Sequence, residues 1–207
     1  MPIVTVSRQY GSGGSEVAEL VATALGWTLY DNAVVEQVAA RLRMTPAEVS
    51  AREERVPSLV ERMASAMALG VPEVMPVVGE MANVPSEERM VMVTKRVIED
   101  AVAAGPAVLV GRGAQCMLAR RSDALHVYCY APQEDLDRYV IENLHVPPAE
   151  AHKRVMETNQ QREAYVRLHW KRSWRDVANY DLCVNTASLG LDGAARLVTE
   201  VAKERFG

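Results

Sequence analysis

Short β-branched apolar runs alternate along the chain with longer segments whose apolar residues recur at helical spacing. The first run covers residues 3–6 and is followed at once by a turn rich in glycine and serine. This order predicts a buried strand that ends in a tight loop. Apolar residues from Val17 to Leu25 then recur at helical spacing, and Gly26 supplies a stop signal. The first 26 residues therefore predict a strand, a loop and a helix.

The same alternation of strand and helix patterns continues to the end of the chain. Four further apolar runs predict strands at 27–30, 107–110, 125–131 and 181–185. Helical spacing returns at 114–121, after Pro132, at 148–174 and at 189–206. Strands that alternate with helices indicate a parallel sheet covered on both faces. The sequence therefore predicts an α/β, three-layer fold with a parallel sheet of about five strands.

The middle of the chain breaks this regular pattern. Between residues 45 and 105 helical spacing is interrupted by four prolines and a glycine, which predicts an inserted helical lobe. Six methionines concentrate in this lobe; core packing is their first interpretation, and a subunit interface in a homo-oligomer is the alternative. The predicted division of the single domain has core pieces at 1–44, 106–147 and 176–207, a lobe at 45–105 and a basic helical segment at 148–175.

Composition excludes several classes of function. A chain of 207 residues with 49% hydrophobic content is large enough to bury a core. The net charge of -4 gives no broad basic field, so we expect no nucleic-acid partner. The apolar runs fall short of the ~18 residues of a membrane span, and the N-terminal residues lack the build of a signal peptide. We therefore expect no membrane partner and a cytoplasmic location.

The cysteine pattern bears on redox and metal chemistry. The three cysteines are an odd number, lie far apart and form no CxxC pair. This pattern argues against a disulfide framework and against a zinc site. Buried thiols are the expected state, and no metal-ligating residue is predicted.

The turn after the first predicted strand carries the first candidate chemistry. A loop that leaves a strand and opens a helix aims several backbone N–H groups at one point, where the helix dipole adds positive charge. Glycines allow a phosphate to approach the backbone closely. An ordinary tight turn is the alternative. The residues predicted to bind a nucleotide's phosphates are Gly11, Ser12, Gly13, Gly14, Ser15 and Glu16.

The stretch from Gly11 to Asp31 resembles the start of bacterial cytidylate kinases without a gap. Those kinases read GSGKGT, an amphipathic helix, then LG with an aromatic residue, then a short strand ending in aspartate; this chain reads GSGGSE, LGW at 25–27 and LYD at 29–31. Their Gly-Arg-Asp after an apolar strand is similar to the GRG at 111–113. The likeness covers nearly the full chain. It is closest to the cytidylate kinase-like family, whose start S-R-x-Y-G-S-G-G matches residues 7–14.

The resemblance implies a P-loop NTPase-like fold with the design of nucleoside monophosphate kinases. The lobe at 45–105 would then bind a monophosphate, and the segment at 148–175 would be a mobile lid that carries arginines. The implied function is a nucleotide-binding phosphotransferase that uses ATP and Mg2+ to phosphorylate a nucleoside monophosphate such as CMP, or a related small substrate. Two alternatives stay open: a catalytically inactive nucleotide-binding protein, and a helical interaction protein whose loop is empty.

The chain departs from the family pattern where the chemistry takes place. Gly14 stands where the P-loop lysine would reach the outer phosphates, and Glu16 where a hydroxyl would hold magnesium. Another residue must then supply the positive charge, either Arg8 after the first strand or Arg112 after the third. Arg8 is the preferred substitute. The predicted catalytic residues are Arg8, Arg112 and Arg162.

Four residues are predicted to bind the acceptor substrate. Arg112 and Arg162 stand where the family uses arginine, which implies contact with a substrate phosphate. Asp31 matches a family aspartate, and its alternative role is a helix N-cap. Tyr165 lies three residues after Arg162, on the same helix face, where it could contact substrate or pack in the core. Because Asn159 replaces the aspartate of the lid motif, the base of the acceptor is not predicted.

Overall fold

A computed structural model of the chain describes residues 1–31, Thr45 and 87–207. The predicted helix after Asp31, most of the predicted lobe and four of its six methionines lie outside these residues. The possible homo-oligomer and the division into core, lobe and lid therefore stay predictions. No helix in the described ranges combines the length and the apolar composition that crossing a membrane requires.

Five strands and six α-helices make up the described parts of the chain. The strands are β1 (Ile3–Arg8), β2 (Thr28–Tyr30), β3 (Ala107–Val110), β4 (Ala124–Tyr130) and β5 (Leu182–Asn185). The helices are α1 (Gly14–Leu25), α2 (Glu87–Ala104), α3 (Ala114–Met117), α4 (Gln133–Glu142), α5 (Pro148–Trp170) and α6 (Thr186–Phe206). Each predicted strand is confirmed to within two residues at either end. Two helix predictions run too far, because α3 ends at Met117 and α5 at Trp170.

The five strands form one parallel sheet in the order β2-β3-β1-β4-β5. Strand β1 is central, with Ile3 opposite Ala107 of β3 on one side and Ala124 of β4 on the other. The α/β class and the five-stranded parallel sheet are thus confirmed. Since parallel strands share the direction of their carboxyl ends, the loops that follow β1 and β3 meet at one edge, where ligands bind in sheets of this kind.

Helices cover both faces of the sheet, and β1 alternates between them. Val4 and Val6 lie in an apolar cluster with α1 and α6, while Ile3 lies in a second cluster with α2 and α3. Arg8 continues the register of Val4 and Val6, so its side chain starts on the α1 face. Ile98 of α2 is 2% exposed in the second cluster, so this described part of the predicted lobe packs on the sheet.

Candidate active site

The loop between β1 and α1 is a tight glycine turn at the carboxyl edge of the sheet. Gly11 has a φ of 87°, and Gly13, which precedes α1, has a φ of 64°. A Cβ at Gly11 would lie 2.6 Å from the carbonyl oxygen of Leu136, so only glycine fits there. The Ser12 hydroxyl donates to the Gln9 carbonyl oxygen at 2.8 Å and closes the turn. The first N–H groups of α1 have no acceptor within the helix and point out of its N-terminus, as an anion site requires.

The Arg8 side chain crosses the site from the glycine turn to the end of β3. A Cβ built on Gly14 would collide with the Cβ of Arg8 and lie 3.1 Å from its Cγ, and a Cβ built on Gly111 would collide with its guanidinium. Arg8 Nη2 lies 3.5 Å from Asp31 Oδ1, and Nε donates to Ser15 Oγ at 3.4 Å. The collision at the Cβ of Arg8 leaves no room for a side chain at position 14, whichever way the guanidinium is directed. The missing P-loop lysine and the presence of Arg8 therefore belong to one packing arrangement.

The turn after β3 is strained and presents Arg112. Gly111, Arg112 and Gly113 have consecutive positive φ values of 71°, 54° and 69°. A positive φ is unfavourable for arginine, and strain of this kind concentrates at functional sites. Burial, followed by the positive charge of Arg8, lowers the pKa of Arg112 to about 10. A Cβ at Gly113 would lie 2.7 Å from the Trp170 ring, so the aspartate of the family pattern has no room there.

Helix α5, the predicted lid, is tied to the glycine turn. The Asn159 side-chain oxygen accepts a hydrogen bond from the Tyr10 backbone N–H at 2.8 Å. Arg162, one helical turn later, donates from Nη1 to the Arg8 carbonyl oxygen at 2.8 Å, and its guanidinium carbon lies 5.8 Å from the Tyr10 ring centre. Asn159 is 3% exposed. The helix therefore contacts the turn directly in this conformation, and both contacts come from one helix face.

Two adjoining cavities open at this edge of the sheet. The loop cleft, of about 620 Å³, lies along the glycine turn and is bordered also by Glu16, Asp31 and Tyr139. The arginine cavity is much smaller, at about 100 Å³. Arg8 and Arg162 border both cavities. The remaining walls of the arginine cavity include Ser7, Arg112, Gln115, Tyr165, Val166 and Trp174.

Glu16 brings a carboxylate to the loop cleft. Its Oε1 accepts a hydrogen bond from the Tyr139 hydroxyl of α4. Burial, followed by this hydrogen bond and the negative charge of Glu16, raises the pKa of Tyr139 above its usual value. Tyr139 therefore stays a neutral donor and fixes the direction of the carboxylate.

The structure brings the residues predicted from the sequence to this one edge. The glycine turn borders the loop cleft, while Ser12 is turned inward by its bond to Gln9. Asp31 pairs with Arg8; its alternative role as a helix cap concerns a helix outside the described residues. Tyr165 lines the arginine cavity and also packs 5.4 Å from the Trp170 ring, so both of its predicted roles are compatible with its position.

Four residues of the site were not predicted to have a role there. Tyr139 comes from a part of the chain that no motif connects to the glycine turn, and Trp170 and Trp174 lie in the predicted lid, where other residues were expected to act. Gln115, 1% exposed, follows the strained turn by two residues, and a polar residue in a short apolar helix was the available signal. These four residues shape the cavities around the predicted arginines.

Comparisons with known proteins bear on the family and on the fold. A model of the cytidylate kinase-like family matches residues 3–188. No curated protein sequence gives a significant match. An uncharacterized protein from Eubacterium ventriosum has a solved structure similar to this one, with a TM-score of 0.70 at 16% identity, covering 98% of this chain and 99% of that one.

Two solved kinases share the fold as well. A shikimate kinase from Bacteroides thetaiotaomicron gives a TM-score of 0.53 at 12% identity and covers 98% of each chain. A gluconokinase from Sinorhizobium meliloti gives 0.51 at 13% identity and covers 98% of this chain and 94% of that one. At such identities the likeness is one of fold, that of the P-loop kinases.

Proposed function

The chain belongs to the cytidylate kinase-like family, and on that premise we propose that it is a nucleotide-dependent phosphotransferase. ATP binds with its phosphates in the loop cleft, and the γ-phosphoryl group passes to an acceptor held beside Arg112. The acceptor is a nucleoside monophosphate such as CMP, or a related small substrate. The solved kinases of the same fold act, by their names, on shikimate and gluconate, which agrees with small-molecule phosphorylation.

The observation that carries this proposal is the convergence of three arginines on the glycine turn. Arg8 and Arg162 border both cavities, and Arg112 borders the smaller one. In the transfer, an acceptor oxygen forms a bond to the γ-phosphorus while the bond to the β–γ bridging oxygen breaks and ADP leaves. Catalysis of this step depends on positioning and positive charge more than on covalent chemistry. Arg8 supplies the charge that a P-loop lysine would supply.

Magnesium, when bound, neutralises charge on the outer phosphates. The ion is commonly held by one or two carboxylates together with phosphate oxygens, and Glu16 and Asp31 both border the loop cleft. Asp31 pairs with Arg8, whereas Tyr139 holds Glu16 without neutralising its charge. The donor set fits the ion, and Glu16 is the residue that would hold it.

Glu16 also favours a second candidate, a nucleotide-binding protein that does not transfer phosphate. A carboxylate at the first turn of α1 repels a phosphate when no cation lies between them. For this second candidate we expect ATP to bind weakly and not to be turned over.

A thermal-shift series separates the two candidates. The full chain is heated with ATP, GTP or CMP, with and without magnesium. For any triphosphate that gives a shift, release of its diphosphate (ADP from ATP) is then measured with and without CMP as acceptor. A ligand at ~100 times its Kd adds about 2.7 kcal/mol to the free energy of unfolding, so binding is readily detected. A magnesium-dependent shift with ADP release supports the transferase. A shift without ADP release with any acceptor supports the second candidate, and no shift with any nucleotide overturns both.

A further inference from the structure

The arginine cavity is small for a nucleotide. Pockets that bury a ligand of drug size have volumes of about 300–1,000 Å³. Within the part of the chain that the structure describes, this cavity measures about 100 Å³. It has room for one compact anionic group with a few atoms attached. A ribose and a base would have to lie outside it.

The walls of the cavity suit an oxyanion. Arg112 is held there by a strained left-handed backbone, and Arg8 and Arg162 reach it from β1 and α5. A guanidinium binds the oxygens of phosphate or carboxylate with two parallel hydrogen bonds. Burial and the charge of Arg8 already lower the pKa of Arg112, and a bound anion would relieve this repulsion. Gln115, 1% exposed, adds an uncharged polar group on the α3 side.

Trp170 packs over Gly113, which is one of the walls of the arginine cavity. Its ring occupies the space over Gly113, where a single added carbon would lie 2.7 Å away. Tyr165, 9% exposed, packs against the same ring, and Lys95 Nζ lies 5.7 Å from the ring centre. The indole therefore has contacts with both Tyr165 and Lys95. Trp174, 3% exposed, completes the apolar wall.

From these walls we infer the class of acceptor: a compact oxyanion, a small phosphate- or carboxylate-bearing molecule, takes the place of a nucleotide in the arginine cavity. Arg112 binds the anionic group, and Trp170 excludes a base. The inference rests on the proposed function for its claim that the bound anion is an acceptor. Occupation of the cavity by a small oxyanion does not depend on ATP.

Fluorescence titration tests this assignment because Trp174 borders the cavity and Trp170 packs over Gly113, one of its walls. The full chain is titrated with inorganic phosphate, acetate and CMP in the presence of a non-hydrolysable ATP analogue and magnesium, so that the glycine turn is filled. Phosphate, acetate or both give a saturable change, which also tells the two anionic groups apart. CMP binds no more tightly than phosphate. Arg112→Met weakens phosphate binding about tenfold or more, since a charge-assisted contact is lost.

Two further variants and a control sharpen the result. Arg112→Lys keeps the charge at the strained position and weakens phosphate binding less than Arg112→Met does. Trp170→Ala opens the space over Gly113 and tightens CMP relative to phosphate by about tenfold. Arg196→Ala changes an exposed arginine of α6 and leaves every affinity unchanged.

Three outcomes overturn the inference. They are CMP bound about tenfold more tightly than phosphate by the unchanged protein, no response to phosphate or acetate, and phosphate binding that Arg112→Met does not alter. The thermal shift with ATP is a separate measurement that tests only the proposed function. A shift with ATP but none of the oxyanion responses refutes only the compact acceptor. Oxyanion responses without any ATP shift refute the transferase and leave a small-anion site.

Discussion

At residue 14 there is no room for a side chain, because its Cβ would collide with the Cβ of Arg8. A P-loop lysine would rise from this position on α1, whereas here the charge comes from the neighbouring strand β1. Arg8 brings its charge to the region that a lysine at position 14 would reach, because Arg8 lies on the α1 face of the sheet and at its carboxyl edge. In this chain the cation therefore comes from β1 and not from α1, and position 14 has no side chain that would compete for the space.

Restoring the lysine alone is therefore expected to harm the protein. Gly14→Lys brings a Cβ against the Cβ of Arg8 and lowers the free energy of unfolding by about 1–3 kcal/mol, the usual cost of overpacking. Arg8→Gly alone reduces ADP release by about 100-fold, as loss of a group that stabilises transition-state charge does. The double variant Arg8→Gly/Gly14→Lys removes the Cβ and Cγ at residue 8 that the new side chain would meet, and it regains part of the stability and of the activity. Urea unfolding and ADP release are measured for all four forms of the double-mutant cycle.

Two results would contradict these predictions. If Gly14→Lys destabilises the chain equally with and without Arg8, the two positions do not share one space. Unchanged ADP release in Arg8→Gly would remove Arg8 from catalysis.

The position of Arg8 at the site could be predicted from a gap in a local pattern, while its catalytic role stays a prediction. A glycine turn without its lysine needs another cation, and Arg8 lies only three residues before Gly11, so it was a candidate for that cation. Trp170 could not be found in this way, because its contact with Gly113 joins residues far apart in sequence. The sequence shows that position 113 lacks the family's aspartate. It does not show that the indole of Trp170 lies over that position and leaves no room for one.

Helix α5 illustrates the same limit at the scale of elements. The family resemblance implied a lid and the basic composition agreed with it, yet neither carries information on what the helix contacts. Asn159 looked like a damaged substrate-binding motif, and in the structure it accepts from Tyr10 at the start of the glycine turn. The predicted end of the helix was wrong because apolar Trp174 continues the helical spacing, although its burial comes from packing on Tyr128 after the helix has ended.

Asn159 is expected to position the glycine turn. Asn159→Ala leaves the Tyr10 N–H without its acceptor, at a cost of about 1–3 kcal/mol for a buried group. Hydrogen exchange at that amide then accelerates about tenfold or more, and the KM for ATP rises more than kcat falls. Asn159→Asp keeps an acceptor oxygen and serves as the matched control. Exchange at Tyr10 that is unchanged in Asn159→Ala contradicts a positioning role.

Over the whole molecule, the sheet is joined by polar contacts as well as apolar ones. Thr5 Oγ1 of β1 and His126 Nδ1 of β4 lie 2.8 Å apart in the buried interior. Burial, the largest influence, lowers the pKa of His126 from its usual 6.5, and the charge of Asp181 opposes this change. A buried neutral histidine makes the stability of the entire sheet dependent on pH.

The direction of this dependence follows from proton binding. Below pH 6.5 His126 binds a proton in the unfolded chain, while in the folded chain its lowered pKa keeps it neutral. The stability contributed by neutral His126 is therefore fully present above pH 6.5 and is lost as the pH falls. Urea unfolding between pH 7.5 and pH 5 is expected to show a decrease that His126→Gln makes shallower. His145→Asn, at an exposed histidine, leaves the slope unchanged. An unaltered slope in His126→Gln refutes the role of this residue.

The central position of β1 in the sheet has a consequence for folding during synthesis of the protein. Its partners are residues 107–110 and 124–129, so the strand made first among the five has no neighbour to pair with until about a hundred residues more have been joined. At about 5–20 residues per second, a ribosome needs about 5–20 s to supply them. During that interval Ile3, Val4 and Val6, all at most 1% exposed in the finished fold, have no sheet to enter. The segment that places Arg8 and the glycine turn is thus synthesised early and ordered late.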